Sequence, residues 1–354
     1  MLFPQNRCTI SDEWTLNNMR VVWMENDLIK VGILVGRGSD IFEFRFKPVD
    51  VNLLLRLPTD IINPQQIVSQ IRSTENQMED YYYGGWQEAL PNSAPFTYRG
   101  AQLGQHGEVW MIPWKYSIVE RGPEQVSVKM WAQPLRVPLL IEKTLSIDQN
   151  SSALMISEKL TNVSRTDLDI MWGHHIAFGL PFLAEGAEIN SNATSFLAEP
   201  SMPAHRRFLA GQTFDWPQVK DIDGQPDDAS MIPPREDQPY SDLAYLSGFE
   251  KDAYYTIRNR ANNVGFAVKW DPGIFKYLWY WQERYATQDA PWWGSAYAVG
   301  LEPWTTRYRT NAEQAVRNGE FLKIAAGQSI ETALTAVAYV GQEDEQTVLS
   351  NNLQ

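Results

Sequence analysis

The chain has 354 residues, a formal net charge of −13, and 43 Asp and Glu against 30 Lys and Arg. That balance argues against nucleic acid and anionic membrane surfaces as partners, since both require a face rich in Lys and Arg. Its one cysteine, Cys8, excludes an intramolecular disulfide and a cysteine-based zinc cluster.

The first residues, MLFPQNRCTISDEW, contain no basic segment followed by an apolar core, so a cytoplasmic location is expected. No apolar run reaches the length of about 18 residues that a membrane helix needs. Residues 29–47, IKVGILVGRGSDIFEFRFK, predict two strands separated by a turn at Gly36 and Gly38. Residues 64–72, PQQIVSQIR, predict a short helix, with Pro64 in its first turn and Ile67 and Ile71 on one face. Strands are expected at 126–132, 138–146, 153–160, 265–270, 274–282 and 330–340, and a second short helix at 311–320. Residues 212–241 are acidic and rich in Pro and Asp. They read as a long loop, either a surface excursion or the border of a binding cleft. Composition does not shift across that stretch, so one all-β domain is expected over residues 1–354.

Histidines are few: His106, His174, His175 and His205. His205 lies beside two arginines and reads as surface. His106 is followed by Gly107, which lets backbone approach a ligand. His174 and His175 lie in MWGHHIAFG, and adjacent strand residues face opposite ways, so at most one of them serves a given site. No His-x-x-x-His spacing supports zinc, and no nucleophile elbow or phosphate-binding loop is present. Glu302 follows the apolar run AYAVGL and precedes Pro303 and Trp304, a setting that would bury it and suit a general base. Its ordinary alternative is a strand-end ion pair with Arg307. Glu283 and Asp242 are weaker carboxylate candidates. Aromatic clusters at 81–86, 279–281, 291–293 and 302–304 are mostly core material, with some members free to stack on sugar rings.

An ordered set of motifs then carries a family resemblance. GGWQEALPN (84–92), GQHGEVW around His106, LMISEKLTNVS (154–164), MWGHHIAFG, SDLAYL (241–246) and GLEPWT around Glu302 together resemble the aldose 1-epimerase (galactose mutarotase-like) family over about residues 25–340. The resemblance implies a large antiparallel β-supersandwich with few short helices. It also implies anomer interconversion of a small-molecule carbohydrate without metal or organic cofactor. By residue, His175 matches the general acid, Glu302 the general base and His106 the histidine that polarises the sugar near its ring oxygen. Asp242 matches a hydroxyl-binding aspartate, and Arg99 stands where a substrate arginine is expected. His174, where Asn is common in the aldohexose enzymes, is read with Trp86 and Trp304 as substrate-lining. Glu108 and Glu-Pro-Trp depart from the galactose-type pattern and leave the sugar open. Three rivals stand beside this reading: a non-catalytic sugar-binding protein, a sugar lyase or hydrolase, and an enzyme for an anionic sugar held by Arg37, Arg99 and Arg307. The sequence carries no signal of oligomeric state.

Overall fold

The computed structural model describes residues 7–66, 77–201, 205–235, 238–307 and 312–341. Among these residues two large sheets dominate, one of 12 strands and one of 9, and every strand pairing is antiparallel. Among the described residues, helix is confined to Gln77–Tyr81, Ala312–Arg317 and a 3₁₀ turn at Lys47–Val49. Both expected strands in 29–47 form, as Ile29–Leu34 and Asp40–Phe46. The run expected at 274–282 begins only at Tyr277, because Asp271 Oδ1 caps a turn over the preceding residues. Most of the helix expected at 64–72 lies outside the described residues.

Alternation sets the sandwich. Leu139–Asp148 turns Leu139, Ile141, Leu145 and Ile147 inward, and Ala153–Asn162 does the same with Leu154, Ile156 and Leu160. Phe44 and Phe178 of the larger sheet meet Phe266 of the smaller one edge to face, at 5.1 and 5.3 Å between ring centres. The core formed in this way takes residues from Cys8 to Ala338.

The acidic stretch 212–241 is not structureless. It contains Thr213–Asp215, Gln218–Lys220, Pro226–Asp228 and Met231–Ile232, and Thr213–Asp215 forms the edge of the larger sheet by pairing with Ser195–Ala198. Local backbone pairing and Asp side chains that cap their own turns, as Asp221 does for the N–H groups of Asp223 and Gln225, give an acidic sequence regular structure.

At the centre of the larger sheet five strands run in the order Trp86–Ala89, Gly173–Gly179, Tyr297–Trp304, Tyr277–Arg284, Tyr240–Ser247. Gly173–Gly179, Tyr297–Trp304 and Trp86–Ala89 are buried along their whole length, so both of their faces are covered. One face meets the other sheet, and the other floors a cavity.

Candidate active site

The cavity is about 450 Å³, within the range of small-ligand sites. Its floor follows strand parity. His175 comes from Gly173–Gly179, Glu302 from Tyr297–Trp304, Trp279, Trp281 and Glu283 from Tyr277–Arg284, and Ser241 and Leu243 from Tyr240–Ser247. Tyr82, Ser93, Gln105, His106 and Trp292 complete the wall from loops. A larger depression, about 710 Å³, lies on the smaller sheet. It is surfaced by Lys129–Glu142, Lys159–Glu331 and Lys269–Asp252 ion pairs and contains no histidine, so the acid–base groups belong to the smaller cavity.

Glu302 and His175 form the centre of the site. Glu302 Oε1 lies 3.7 Å from His175 Nε2, and Glu302 Oε2 accepts a hydrogen bond from Trp304 Nε1 at 3.0 Å. Burial pushes the Glu302 carboxyl up to about 8, against the Trp304 hydrogen bond that favours its ionised form. Burial likewise pushes His175 down to about 4, so at neutral pH the pair carries one proton, on Glu302. Arg307 stacks over Tyr277 instead of pairing with the glutamate.

His106 is placed by a turn. Its φ is 58° and that of Gly107 is 72°, and a Cβ on Gly107 would lie 1.9 Å from the Leu90 carbonyl oxygen. The Leu90 N–H donates to the His106 carbonyl and the Glu108 N–H to the Leu90 carbonyl, both at 3.2 Å. The imidazole thereby stands with its centre 5.1 Å from that of His175 and 5.5 Å from the Trp304 ring. His106, His175 and Glu302 are therefore brought together from segments nearly 200 residues apart.

The other residues singled out in the sequence are placed elsewhere. His174 and Trp86 have the opposite parity and face the smaller sheet. Trp86 Nε1 donates to His174 Nδ1 at 3.1 Å, and His174 Nε2 lies 3.1 Å from Glu158 Oε2. Burial opposes a charge on His174 while Glu158 and Glu88 raise its pKa. The indole bond decides the outcome: an imidazolium has no lone pair to accept it, so the ring is neutral and donates from Nε2. Glu88 and Lys143 complete this cluster with a 3.2 Å ion pair, and Trp172 Nε1 also donates to Glu88. Burial, then Glu88, raise the pKa of Glu158. Glu88, Glu158 and His174 are the one group among the described residues with metal-ligand proximity. Lys143 already supplies the positive charge there, and both His174 nitrogens are engaged.

Asp242 also has the wrong parity. Its carboxylate accepts from the N–H groups of Arg207, Phe208 and Leu243 at 3.0, 2.8 and 2.9 Å, and so anchors the 205–208 loop. Arg99 is exposed in the turn between Phe96–Tyr98 and Ala101–Leu103, where it bonds the Asp167 carbonyl and pairs with Asp169 at 3.6 Å. Trp304 is buried beneath the cavity, stacked 4.7 Å from Trp279, and acts on the site by holding Glu302. Arg37 donates to the carbonyls of Ile62 and Tyr81, away from the cavity. Glu108 pairs with Arg136 at 3.2 Å.

Two further positions bear on the site: Tyr82, not separated from its neighbours within the 81–86 aromatic cluster, and Gly300, which the sequence did not single out. Tyr82 sits edge-on to His175 with ring centres 5.2 Å apart. Gly300 lies two residues before Glu302 on the same face, and a Cβ there would come within 2.4 Å of Glu302 Oε1. A tyrosine among three and a glycine inside a strand give no signal of their own without the parity that the fold supplies.

Solved structures share this architecture at low identity. A candidate aldose 1-epimerase from Klebsiella pneumoniae is 14% identical with a TM-score of 0.70, over 97% of this chain and 85% of that one. A galactose mutarotase-like protein from Clostridium acetobutylicum is 14% identical with a TM-score of 0.65, over 95% and 99%. A candidate mutarotase from Salmonella typhimurium is 12% identical with a TM-score of 0.60, over 96% of each chain. The chain thus has a galactose mutarotase-like fold. No curated protein sequence matches it. Residues 17–337 match the family model described as a domain of unknown function, DUF4432, and the chain belongs to that family.

Proposed function

We propose that the protein is an aldose 1-epimerase-type isomerase that interconverts the anomers of a free sugar, with the chain acting as one domain. The observation that carries this reading is the Glu302–His175 pair, 3.7 Å apart on the floor of a tryptophan-walled cavity. Ring opening of an aldopyranose takes the proton from the anomeric hydroxyl and delivers one to the ring oxygen. The C1–O5 bond breaks and the C1 carbonyl forms. Glu302 takes the anomeric proton, His175 protonates the ring oxygen, and His106 stabilises charge developing there. Rotation about C1–C2 presents the other carbonyl face, and closure returns both protons. The pair's proton count is the same before and after.

The pair with Glu302 protonated and His175 neutral corresponds to the open-chain stage of this cycle. A cyclic sugar is opened from the other tautomer, in which the proton has moved to His175. Hydrogen bonds from sugar hydroxyls and from Trp304 to the carboxylate favour that tautomer. Each positioned acid or base contributes about 10²–10⁴-fold.

NMR saturation transfer between anomers across a panel of aldoses tests the reading, with Glu302→Gln as the matched control. Exchange enhanced by the wild type and lost in the variant is expected. Sugar binding without enhanced exchange, equal in both proteins, would replace the enzyme by a carbohydrate-binding protein on the same fold.

A further inference from the structure

We propose that Tyr82 determines specificity, its phenol oxygen forming a hydrogen bond with a ring hydroxyl of an uncharged sugar. The proposal rests on the sugar reading above and names the group that selects within it. Tyr82 is 5% exposed, and its hydroxyl has no hydrogen-bond partner among the described residues. Buried tyrosine hydroxyls ordinarily have one. The ring that carries this hydroxyl is part of the cavity wall: it is edge-on to His175 at 5.2 Å, to Trp292 at 5.8 Å and to Trp281 at 6.3 Å, and all four residues line the cavity.

The phenol is held in place. The helix Gln77–Tyr81 ends immediately before it, Thr59 Oγ1 donates to its carbonyl at 3.4 Å, and Gly84 and Gly85 follow with φ of 96° and 84°. Burial first, and then the Glu302 carboxyl, keep its pKa well above the ordinary value, so the oxygen carries its proton and can both donate and accept.

The rest of the lining indicates which ligand is read. Among the described residues it includes Glu79, Glu283 and Glu302 and no Lys or Arg. Glu283 is already engaged by the N–H groups of Ala286 and Thr287 and by the Thr287 hydroxyl. A phosphate, sulfonate or carboxylate on the sugar would be buried beside Glu302 without a Lys or Arg to pair with, which is unfavourable. A neutral hydroxyl supplies the partner that the phenol lacks.

Tyr82→Phe removes the oxygen and keeps the ring. The probes are D-galactose, D-glucose, D-mannose, their monodeoxy derivatives and D-glucuronate, followed by binding calorimetry and anomer exchange. The variant is expected to unfold at the same denaturant concentration as the wild type or a higher one, because no protein hydrogen bond is lost. It should bind the preferred neutral sugar about tenfold more weakly. One monodeoxy sugar should lose the same factor with the wild type and nothing further with the variant. D-glucuronate should bind more weakly than its neutral parent to both. Wild-type exchange with undiminished affinity in Tyr82→Phe would overturn the Tyr82 proposal alone, as would tighter binding of D-glucuronate than of D-glucose. A wild type that neither binds nor exchanges any of these sugars would overturn the sugar reading, and this proposal with it.

Discussion

His174 and His175, neighbours in the chain, serve opposite faces of one strand: Nε2 of His174 meets Glu158 at 3.1 Å between the sheets, and Nε2 of His175 meets Glu302 at 3.7 Å on the cavity floor. The two imidazoles therefore have separable consequences. His174→Ala strands the Trp86 indole N–H and the Glu158 carboxyl in the core, a loss of about 3 kcal/mol or more. His175→Ala opens toward the cavity, and the one group it leaves, Glu302, keeps its Trp304 hydrogen bond. Urea unfolding should show a large fall in midpoint for His174→Ala and a small one for His175→Ala. Anomer exchange per folded molecule should fall about 10²–10⁴-fold only for the second.

The inter-sheet cluster yields a related prediction. Lys143 and Glu158 are register partners in the smaller sheet, and Glu88 and His174 are register partners in the larger one. Lys143→Met leaves the Glu88 carboxylate without its cation and should destabilise the protein by about 3–5 kcal/mol. The double variant Lys143→Met with Glu88→Gln should recover part of that loss in the same unfolding measurement. A loss in the double variant as large as that of Lys143→Met would show that the ion pair is not what the core requires.

Strand positions were legible because alternation of large apolar residues is a local property, as in Leu139–Asp148. His106, His175 and Glu302 were legible because their motifs carry their own turn glycine, strand and aromatic neighbour. Asp242, Trp86 and Arg99 were not, and the reasons are physical. The side a strand residue faces depends on the parity of its whole sheet, and Asp242 is one position out of phase with Ser241 and Leu243, which line the cavity. Arg99 precedes His106 closely in sequence, but it sits in the turn of a hairpin that carries it out to Asp167 and Asp169. The regular pairing inside 212–241 was hidden because proline and aspartate suppress strand propensity, while turn capping and an available sheet edge restore it.

Gly300 provides a test of cavity geometry. It lies opposite Trp281 and Ala177 in the strand registers, and its backbone is in a region open to any residue. A methyl group there would meet Glu302 Oε1 at 2.4 Å and Trp281 Cε3 at 3.2 Å. The carboxyl must then turn away from His175. Gly300→Ala should cost about 1–3 kcal/mol through overpacking and lower anomer exchange by about 100-fold through misplacement of the base. Exchange at the wild-type rate in a folded Gly300→Ala protein would show that Glu302 does not act from the position seen here.

The pH dependence follows from the single proton that the central pair holds. Burial sets the Glu302 carboxyl at about 8 and His175 at about 4. Below about 4 both groups are protonated and no base remains. Above about 8 neither is protonated and no acid remains. Between these limits the pair holds the one proton that the bound sugar draws to His175, so kcat/KM should form a broad bell with limbs near 4 and 8. Stability carries the same signature with a definite sign. Glu302 has a folded-state pKa above its ordinary 4.5, so the folded protein holds the extra proton and its stability falls as pH rises from about 4.5 to 8. His175 has a folded-state pKa below its ordinary 6.5, so the unfolded chain takes up the proton first and stability falls as pH drops from 6.5 to about 4. Glu302→Gln should remove the alkaline slope and leave the acid one, and His175→Gln the reverse. Urea titrations between pH 4 and 9 would measure both slopes. An alkaline slope as steep in Glu302→Gln as in the wild type would assign the high-pKa group to another residue and require a different base.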